Sequence, residues 1–203
     1  MTARRVLLAI AILIAGAGLA ACGHKTQEVV FQPQVKTAPS NAGGGRTVSL
    51  SVIDERPEIT IGYRQGAIGR TAGIIRTEQD LPAVVRAAIA DGLSRMQFQV
   101  VPVGQPADAS LKVELRQLEY QSASGVLTKG ALARSALKAT GVRRPGAEGR
   151  AYLFERLYRA ENEMQSLLPP TASDNRELLN AILETTIQQL LDDQELIGFL
   201  AGR

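Results

Sequence analysis

The sequence predicts an α+β fold: a mostly antiparallel sheet with two helices packed on one face, preceded by a cleaved signal peptide and a flexible tether. Three observations lead there. Apolar residues alternate with period two in several short stretches, of which 110–120 is the clearest. Two longer stretches, beginning at Asp80 and Asp174, instead repeat every three to four residues behind helix-capping side chains. Their order along the chain is strand, loop, helix, strand, strand, hairpin, helix, which suits helices laid over a sheet.

The N-terminus comes first. Arg4 and Arg5 precede an unbroken apolar run, Val6 to Leu19, that ends in Leu19-Ala20-Ala21-Cys22. A positive region, an apolar region and small residues at a cut site make a secretory signal. Val6 to Cys22 is at the bottom of the ~17–25 residue range for a spanning helix, and its glycines and alanines make it a weak one. Leu-Ala-Ala-Cys resembles the lipobox of bacterial lipoproteins, in which the cysteine is acylated and the chain is cut just before it. Residues 1–21 are then the signal peptide, 22–46 the acylated N-terminus and flexible tether, and 47–203 a single periplasmic domain. Cys22 is the only cysteine, so no internal disulfide can form in an oxidising compartment. The tether holds Gln27, Gln32, Pro33, Gln34 and Gly43-Gly44-Gly45; a chain of that kind has a root-mean-square reach of roughly 25–30 Å. Val29-Val30-Phe31 is the stretch within it that could dock on the domain.

In residues 47–53, Val48, Leu50 and Val52 alternate with Ser49 and Ser51, a half-buried strand closed by the turn Asp54-Glu55-Arg56-Pro57. Ile59, Ile61 and Tyr63 alternate again. Gly62, Gly66, Gly69 and Gly73 then punctuate a hairpin; they match no phosphate-loop spacing. Asp80 caps a helix with Pro82 in its first turn, and Leu81, Val84, Val85, Ala88, Ile89, Gly92, Leu93 and Met96 form one stripe. Phe98 to Val103 is a short β-rich run. In 110–120, Leu111, Val113 and Leu115 share a face, but Leu118 and Tyr120 fall in the opposite phase, which predicts a bulge near Gln117. Residues 129–142 favour helix by propensity yet carry no helical stripe, so strand and helix stay open there; a long antiparallel hairpin is preferred, with Tyr152, Phe154 and Tyr158 on its second arm. Pro169-Pro170 closes it. Asp174, with Glu177 three residues on, is expected to cap the last long helix, whose apolar face runs from Leu178 to Leu191. Asp192-Asp193 interrupts it before a short helical piece, 195–200.

The ordered set Val52-x-Asp54-x-Arg56, Ile61-Gly62-x-Arg64, Asp91-Gly92-Leu93, Ala107-Asp108, Tyr158-Arg159, Pro170-Thr171-Ala172, Asn175, Asn180 and Leu190-Leu191-Asp192 resembles the YajG family of bacterial lipoproteins. The resemblance spans the lipobox and essentially all of 46–201. It implies a Gram-negative outer-membrane lipoprotein whose molecular activity is not established for the family. Gly23, rather than Asp, after the acylated cysteine is what lipoprotein sorting associates with delivery to the outer membrane.

Composition narrows the chemistry. Arg4 and Arg5 leave with the signal, which holds no acidic residue, so the formal +3 falls to about +1 on the mature side chains. That balance, with no Trp and few aromatics, gives no support for a nucleic-acid partner. One His, His24 in the tether, and one Cys cannot build a usual transition-metal site or a serine–histidine pair; no cofactor, no metal and no catalytic residues are expected. The remaining candidates are Asp54, Arg56, Arg64 and Arg70, clustered in sequence beside the Gly-rich loop as a site for an acidic group or a partner, against the plainer reading of an Asp–Arg pair that fixes a turn. Arg134, Lys138, Arg143, Arg144 and Arg150 make a basic hairpin that would face an anionic surface or simply solvent. The expected partners are the membrane, through acyl chains on Cys22, and an envelope protein or cell-wall material. The leading reading is a non-enzymatic binding or assembly module; the alternative is a small-molecule or muropeptide-binding lipoprotein with its site near the Asp54–Arg70 loop.

Overall fold

A computed structural model describes residues 26–65, 71–124, 129–143 and 150–203. Cys22, Gly66, Gly69, Arg70, Gly125, Arg144 and the connection after Arg143 lie outside them. The strands are β1 (Gln27–Glu28), β2 (Thr47–Asp54), β3 (Gly62–Gln65), β4 (Thr71–Arg76), β5 (Gln99–Val101), β6 (Ala109–Ser124), β7 (Lys129–Arg143) and β8 (Tyr152–Ser166). The helices are α1 (Leu81–Arg95), α2 (Ala172–Asp192) and α3 (Gln194–Leu200).

β6 is the spine. Along one edge it pairs antiparallel with β7 over its whole length, from Ala109 opposite Arg143 to Ser124 opposite Lys129, and β7 pairs antiparallel with β8. Along the other edge it changes partner. Its first half pairs parallel with β2, from Val48–Ala109 to Asp54–Leu115; its second half pairs parallel with β3, at Gly62–Tyr120 and Tyr63–Gln121. β5 extends the β2 branch in parallel, and β4 and β1 extend the β3 branch. The sheet is therefore mixed and forked, which corrects the mostly antiparallel expectation. Among the described residues there are three helices, the third being the short piece read at 195–200. α1 packs on β2 and β5, α2 on β7 and β8, α3 on β7, and α1 touches α2. They follow a curled sheet rather than tiling one flat face.

The bulge is where the phase break predicts it. Leu115 faces Leu137 but Gln117 faces Ala136, so Arg116 is the extra residue. That single insertion returns Leu118 and Tyr120 to the buried side already occupied by Leu111, Val113 and Leu115. Residues 129–142 are strand. Helix propensity loses because β7 lies between β6 and β8, where both edges must be hydrogen-bonded and small side chains suffice; Ala131, Ala133, Ala136 and Ala139 are buried.

Both long helices bury the stripes read from the sequence. At Gly92 a methyl group would sit 2.4 Å from Leu191 Cδ1, so this glycine is what lets α1 and α2 meet. Asp80 caps α1 by accepting from the Ala83 amide. The cap of α2 is Thr171, not Asp174. Asp174 is the third helical residue and completes the box by accepting from the Thr171 amide at 2.8 Å.

The segment 26–46 departs most from expectation. It is a strap, not a loose tether. Gln27 and Glu28 join the sheet beside β4, and Val29 and Phe31 are fully buried. From there the strap lies along α2. The amides of Gln32, Gln34 and Lys36 donate to Asn180 Oδ1, Glu184 Oε2 and Gln188 Oε1 at 2.8, 3.3 and 2.9 Å. Two residues of extended chain advance about 6.6 Å and four of helix about 6.0 Å, so the two repeats stay in step. Further on, the Ser40 and Gly43 amides donate to Arg95 O and Met96 O at the end of α1.

Candidate functional site

The fork in the sheet makes the site. β2 leaves β6 at Leu115, where the Glu55 amide donates to Leu115 O at 3.0 Å. β3 joins it at Tyr120, whose amide donates to Ile61 O at 2.7 Å. Residues 116–119 of β6 face neither strand on that edge, and residues 55–61 loop across the gap. A cleft of about 300 Å³ opens there, lined by Arg56, Pro57, Glu58, Tyr63, Gln117 and Glu119 among others. Gly62 forms its inner corner. An added Cβ would stand 2.0 Å from Tyr120 O, so only glycine lets β3 close on β6 at this point.

Arg56 is the buried cation of the cleft, with its side chain 5% exposed. Its Nε and Nη2 donate to the two carboxylate oxygens of Asp54 at 2.9 and 2.7 Å, a bidentate pair, and the Arg56 amide donates to Asp54 Oδ1 at 3.1 Å. Burial works to raise the Asp54 pKa, but the hydrogen bonds and charge of Arg56 outweigh it and hold the carboxyl below its ordinary value. The plainer reading of the two residues therefore holds in part: they fix a turn. One end of the guanidinium is left over. Nη1 is buried and has no hydrogen-bond partner among the described residues.

Tyr120 forms the floor. Burial lifts its phenol above the ordinary value. Its hydroxyl donates to Asn175 Oδ1 at 2.7 Å, Asn175 Nδ2 donates to Gln27 Oε1 at 3.0 Å, and Gln27 Nε2 donates to Ala172 O at 2.9 Å. This buried relay ties β6, α2 and the strap together below the cleft.

Of the candidates singled out in the sequence, Arg56 lines the cleft and Asp54 pairs with it from the end of β2. Arg64 lies on β3 opposite Gly73, near enough to Tyr120 for its charge to act on the phenol, but it does not line the cleft. Arg70 and Cys22 are outside the described residues. Gln117, Glu119 and Tyr120 were not read as site residues. The signal was nevertheless present: the phase break near Gln117 marks the stretch where β6 changes partner.

Three residues of the basic hairpin, Arg134, Lys138 and Arg143, are engaged within the fold, and Arg144 lies outside the described residues. Arg134 bonds Glu161 at 2.6 Å, Lys138 bonds Glu155 at 2.9 Å, and Arg143 donates to Phe199 O while stacking over Tyr152 and Phe199. Asp193, one of the paired acids near the C-terminus, caps α3 and accepts from Tyr158 Oη at 2.6 Å and Arg156 Nη1 at 2.7 Å. Arg156 also pairs with Glu195. Among the described residues no three His, Cys, Asp or Glu side chains group as metal ligands, and no helix is long and apolar enough to cross a membrane.

A family model described as uncharacterized lipoprotein matches residues 33–201. No curated protein matches the chain in sequence. Among solved structures, protein XCC0632 from Xanthomonas campestris is 14% identical with a TM-score of 0.44, over 87% of this chain and 94% of its own. A Helicobacter pylori protein described as a homolog of the neuraminyllactose-binding hemagglutinin is 7% identical with a TM-score of 0.49, over 86% and 99%. Lipoprotein GNA1162 from Neisseria meningitidis is 14% identical with a TM-score of 0.36, over 73% and 99%. At these scores the likenesses carry no argument about activity.

Proposed function

Because the chain belongs to the family described as uncharacterized lipoprotein, we propose that it is a lipid-anchored, non-enzymatic binding module that works from the periplasmic face of the outer membrane. Cys22, acylated after removal of residues 1–21, is its anchor, and Gly23 favours outer-membrane delivery. The cleft at the fork of the sheet is its binding site.

One observation supports the cleft as the site: the buried Nη1 of Arg56 has no hydrogen-bond partner among the described residues and stands beside a cleft. A buried donor with no acceptor costs about 1–3 kcal/mol. A ligand that brings a carbonyl or carboxylate oxygen to Nη1 recovers that energy on binding. Asp54 already balances the guanidinium charge, and Glu58 and Glu119 sit on the rim. The cleft therefore suits an acceptor on a mixed polar and apolar segment, such as a stretch of peptide or a muropeptide, better than a highly charged anion.

The test uses a photo-crosslinking residue at Thr60, on the rim, in cells. Adducts at that position should fall roughly tenfold when Arg56→Met removes the donor while keeping the volume. Adducts unchanged by Arg56→Met would overturn the cleft as the site. A second reading is favoured by β8, which among the described residues pairs only with β7 and exposes Tyr152, Leu153 and Leu157. An assembly partner that adds a strand there would crosslink from Leu153 and be indifferent to Arg56.

A further inference from the structure

The direction of β1 shows from which end of the sheet the described chain sets out. β1 runs parallel to β4, with Gln27 opposite Ile75 and Glu28 opposite Arg76. The chain therefore reaches β1 from the end where β4 begins. β3 ends there, with Gln65 opposite Thr71, and β3 runs parallel to β6, so β6 also ends there. Ser124 of β6 faces Lys129 of β7, and Lys129 faces Ser166 of β8. Gln27 is held to Ala172 O, at the first residue of α2. Whatever its conformation, a chain of five residue steps from Cys22 to Gln27 spans at most about 18 Å.

Two consecutive leucines sit at that same end. Leu167 and Leu168 follow Ser166 directly and are 83% and 73% exposed. Pro169, Pro170 and the helix cap Thr171 follow, so the loop is short and stiff. The Leu168 amide donates to Ser166 Oγ at 3.2 Å, which holds the loop's turn. Lys129, opposite Ser166, and Arg176, early in α2, are the described cations nearest in register; Glu163, Asp174 and Glu177 are the acids. A solvated domain gains nothing from a paired leucine tip, whereas a domain tied within about 18 Å of a bilayer gains apolar burial from it.

We propose that the Leu167–Leu168 loop is a second membrane contact, inserted at the lipid headgroup boundary beside the Cys22 anchor. This rests on acylation of Cys22 but not on the cleft. The loop and the anchor together orient the domain, so that the opposite end of the sheet, with Ala109, Arg143 and Tyr152, points away from the membrane.

The chain contains no tryptophan, so Leu168→Trp and Val103→Trp each install a single reporter in the acylated full-length protein. Val103 is also exposed but lies between β5 and the start of β6, at the far end. In vesicles of phosphatidylethanolamine and phosphatidylglycerol, the Leu168→Trp indole should shift to shorter wavelength and be quenched by brominated lipid, and the Val103→Trp indole should do neither. Without the acyl group (Cys22→Ser), Leu167→Ser/Leu168→Ser should lower vesicle partitioning of the mature chain roughly tenfold or more. An unquenched Leu168→Trp indole in protein whose Cys22 carries acyl label would overturn the loop contact and leave the anchor intact. Equal quenching at both positions would overturn it as well. So would a shift that needs no lipid and grows with protein concentration, since a second copy would then cover the leucines.

Discussion

The strap and β8 are both peripheral, and their sequences point the wrong way. The strap is rich in Gln, Pro and Gly, and reads as loose chain. It is nonetheless held at Phe31 by Gln79, along its middle by Asn180, Glu184 and Gln188, and at its end by the α1 carbonyls. β8 carries Tyr152, Phe154 and Tyr158, aromatic residues that suit a strand, yet Tyr152, Leu153 and Leu157 are exposed and only Tyr158 is buried. What separates the two is where their backbone groups go. Side chains of α2 supply acceptors in step with the strap, so a polar segment is fastened. β8 ends the sheet, and its Glu155, Arg156, Arg159, Glu161 and Glu163 keep that edge charged.

The largest break in this contrast should come from Asn175→Ala, which orphans Tyr120 Oη and Gln27 Oε1 together. A loss of about 3 kcal/mol is expected in urea unfolding, with faster amide exchange across 27–36. If the strap stayed protected, the relay would not be what fastens it. On the β8 side, Asp193→Ala removes the α3 cap and the acceptor for Tyr158 and Arg156, and should cost about 2 kcal/mol.

The same carboxylate gives a pH signature. Burial works to raise its pKa, but bonds from Tyr158 and from the Leu196 and Glu195 amides, with the charge of Arg156, hold it below its ordinary value. A carboxylate depressed in the folded state contributes stability above its unfolded pKa and loses it as the pH falls through the folded one. Stability should therefore decline below about pH 4, less steeply in Asp193→Asn. An identical slope in that variant would remove Asp193 from the account.

Asn180→Ala should cost about 1 kcal/mol and expose the strap near Gln32 to limited proteolysis without disturbing β8. The smallest effect belongs to Lys138→Ala. Its cross-strand partner Glu155 is exposed and Lys138 itself half-buried, so the change should stay below about 1 kcal/mol in thermal unfolding and shrink with added salt.

Much of this was legible in local pattern. The stripes of α1 and α2, the cap at Asp80, the strand at β6 and its bulge all follow from spacing, because burial of one face imposes a period on the residues that form it. The Asp54–Arg56 pair was legible too, since two residues of separation on a turn bring the side chains together. Thr171 was missed as a cap because a threonine and an aspartate three residues apart both satisfy the pattern, and only the helix start decides between them. The cleft was not legible. Its walls come from residues some 60 positions apart in sequence, Arg56 and Gln117, which meet because β6 changes partner.

By itself the sequence determined the single cysteine and single histidine and the periods of the helices and the spine, since each depends on residue types at short separation. Only the tertiary structure decided the strand direction of the β2 and β3 branches, the strand state of β7, the docking of the strap and the burial of the Arg56 Nη1 without a partner among the described residues. Those depend on which distant backbone and side-chain groups are left for each other once the apolar faces have closed.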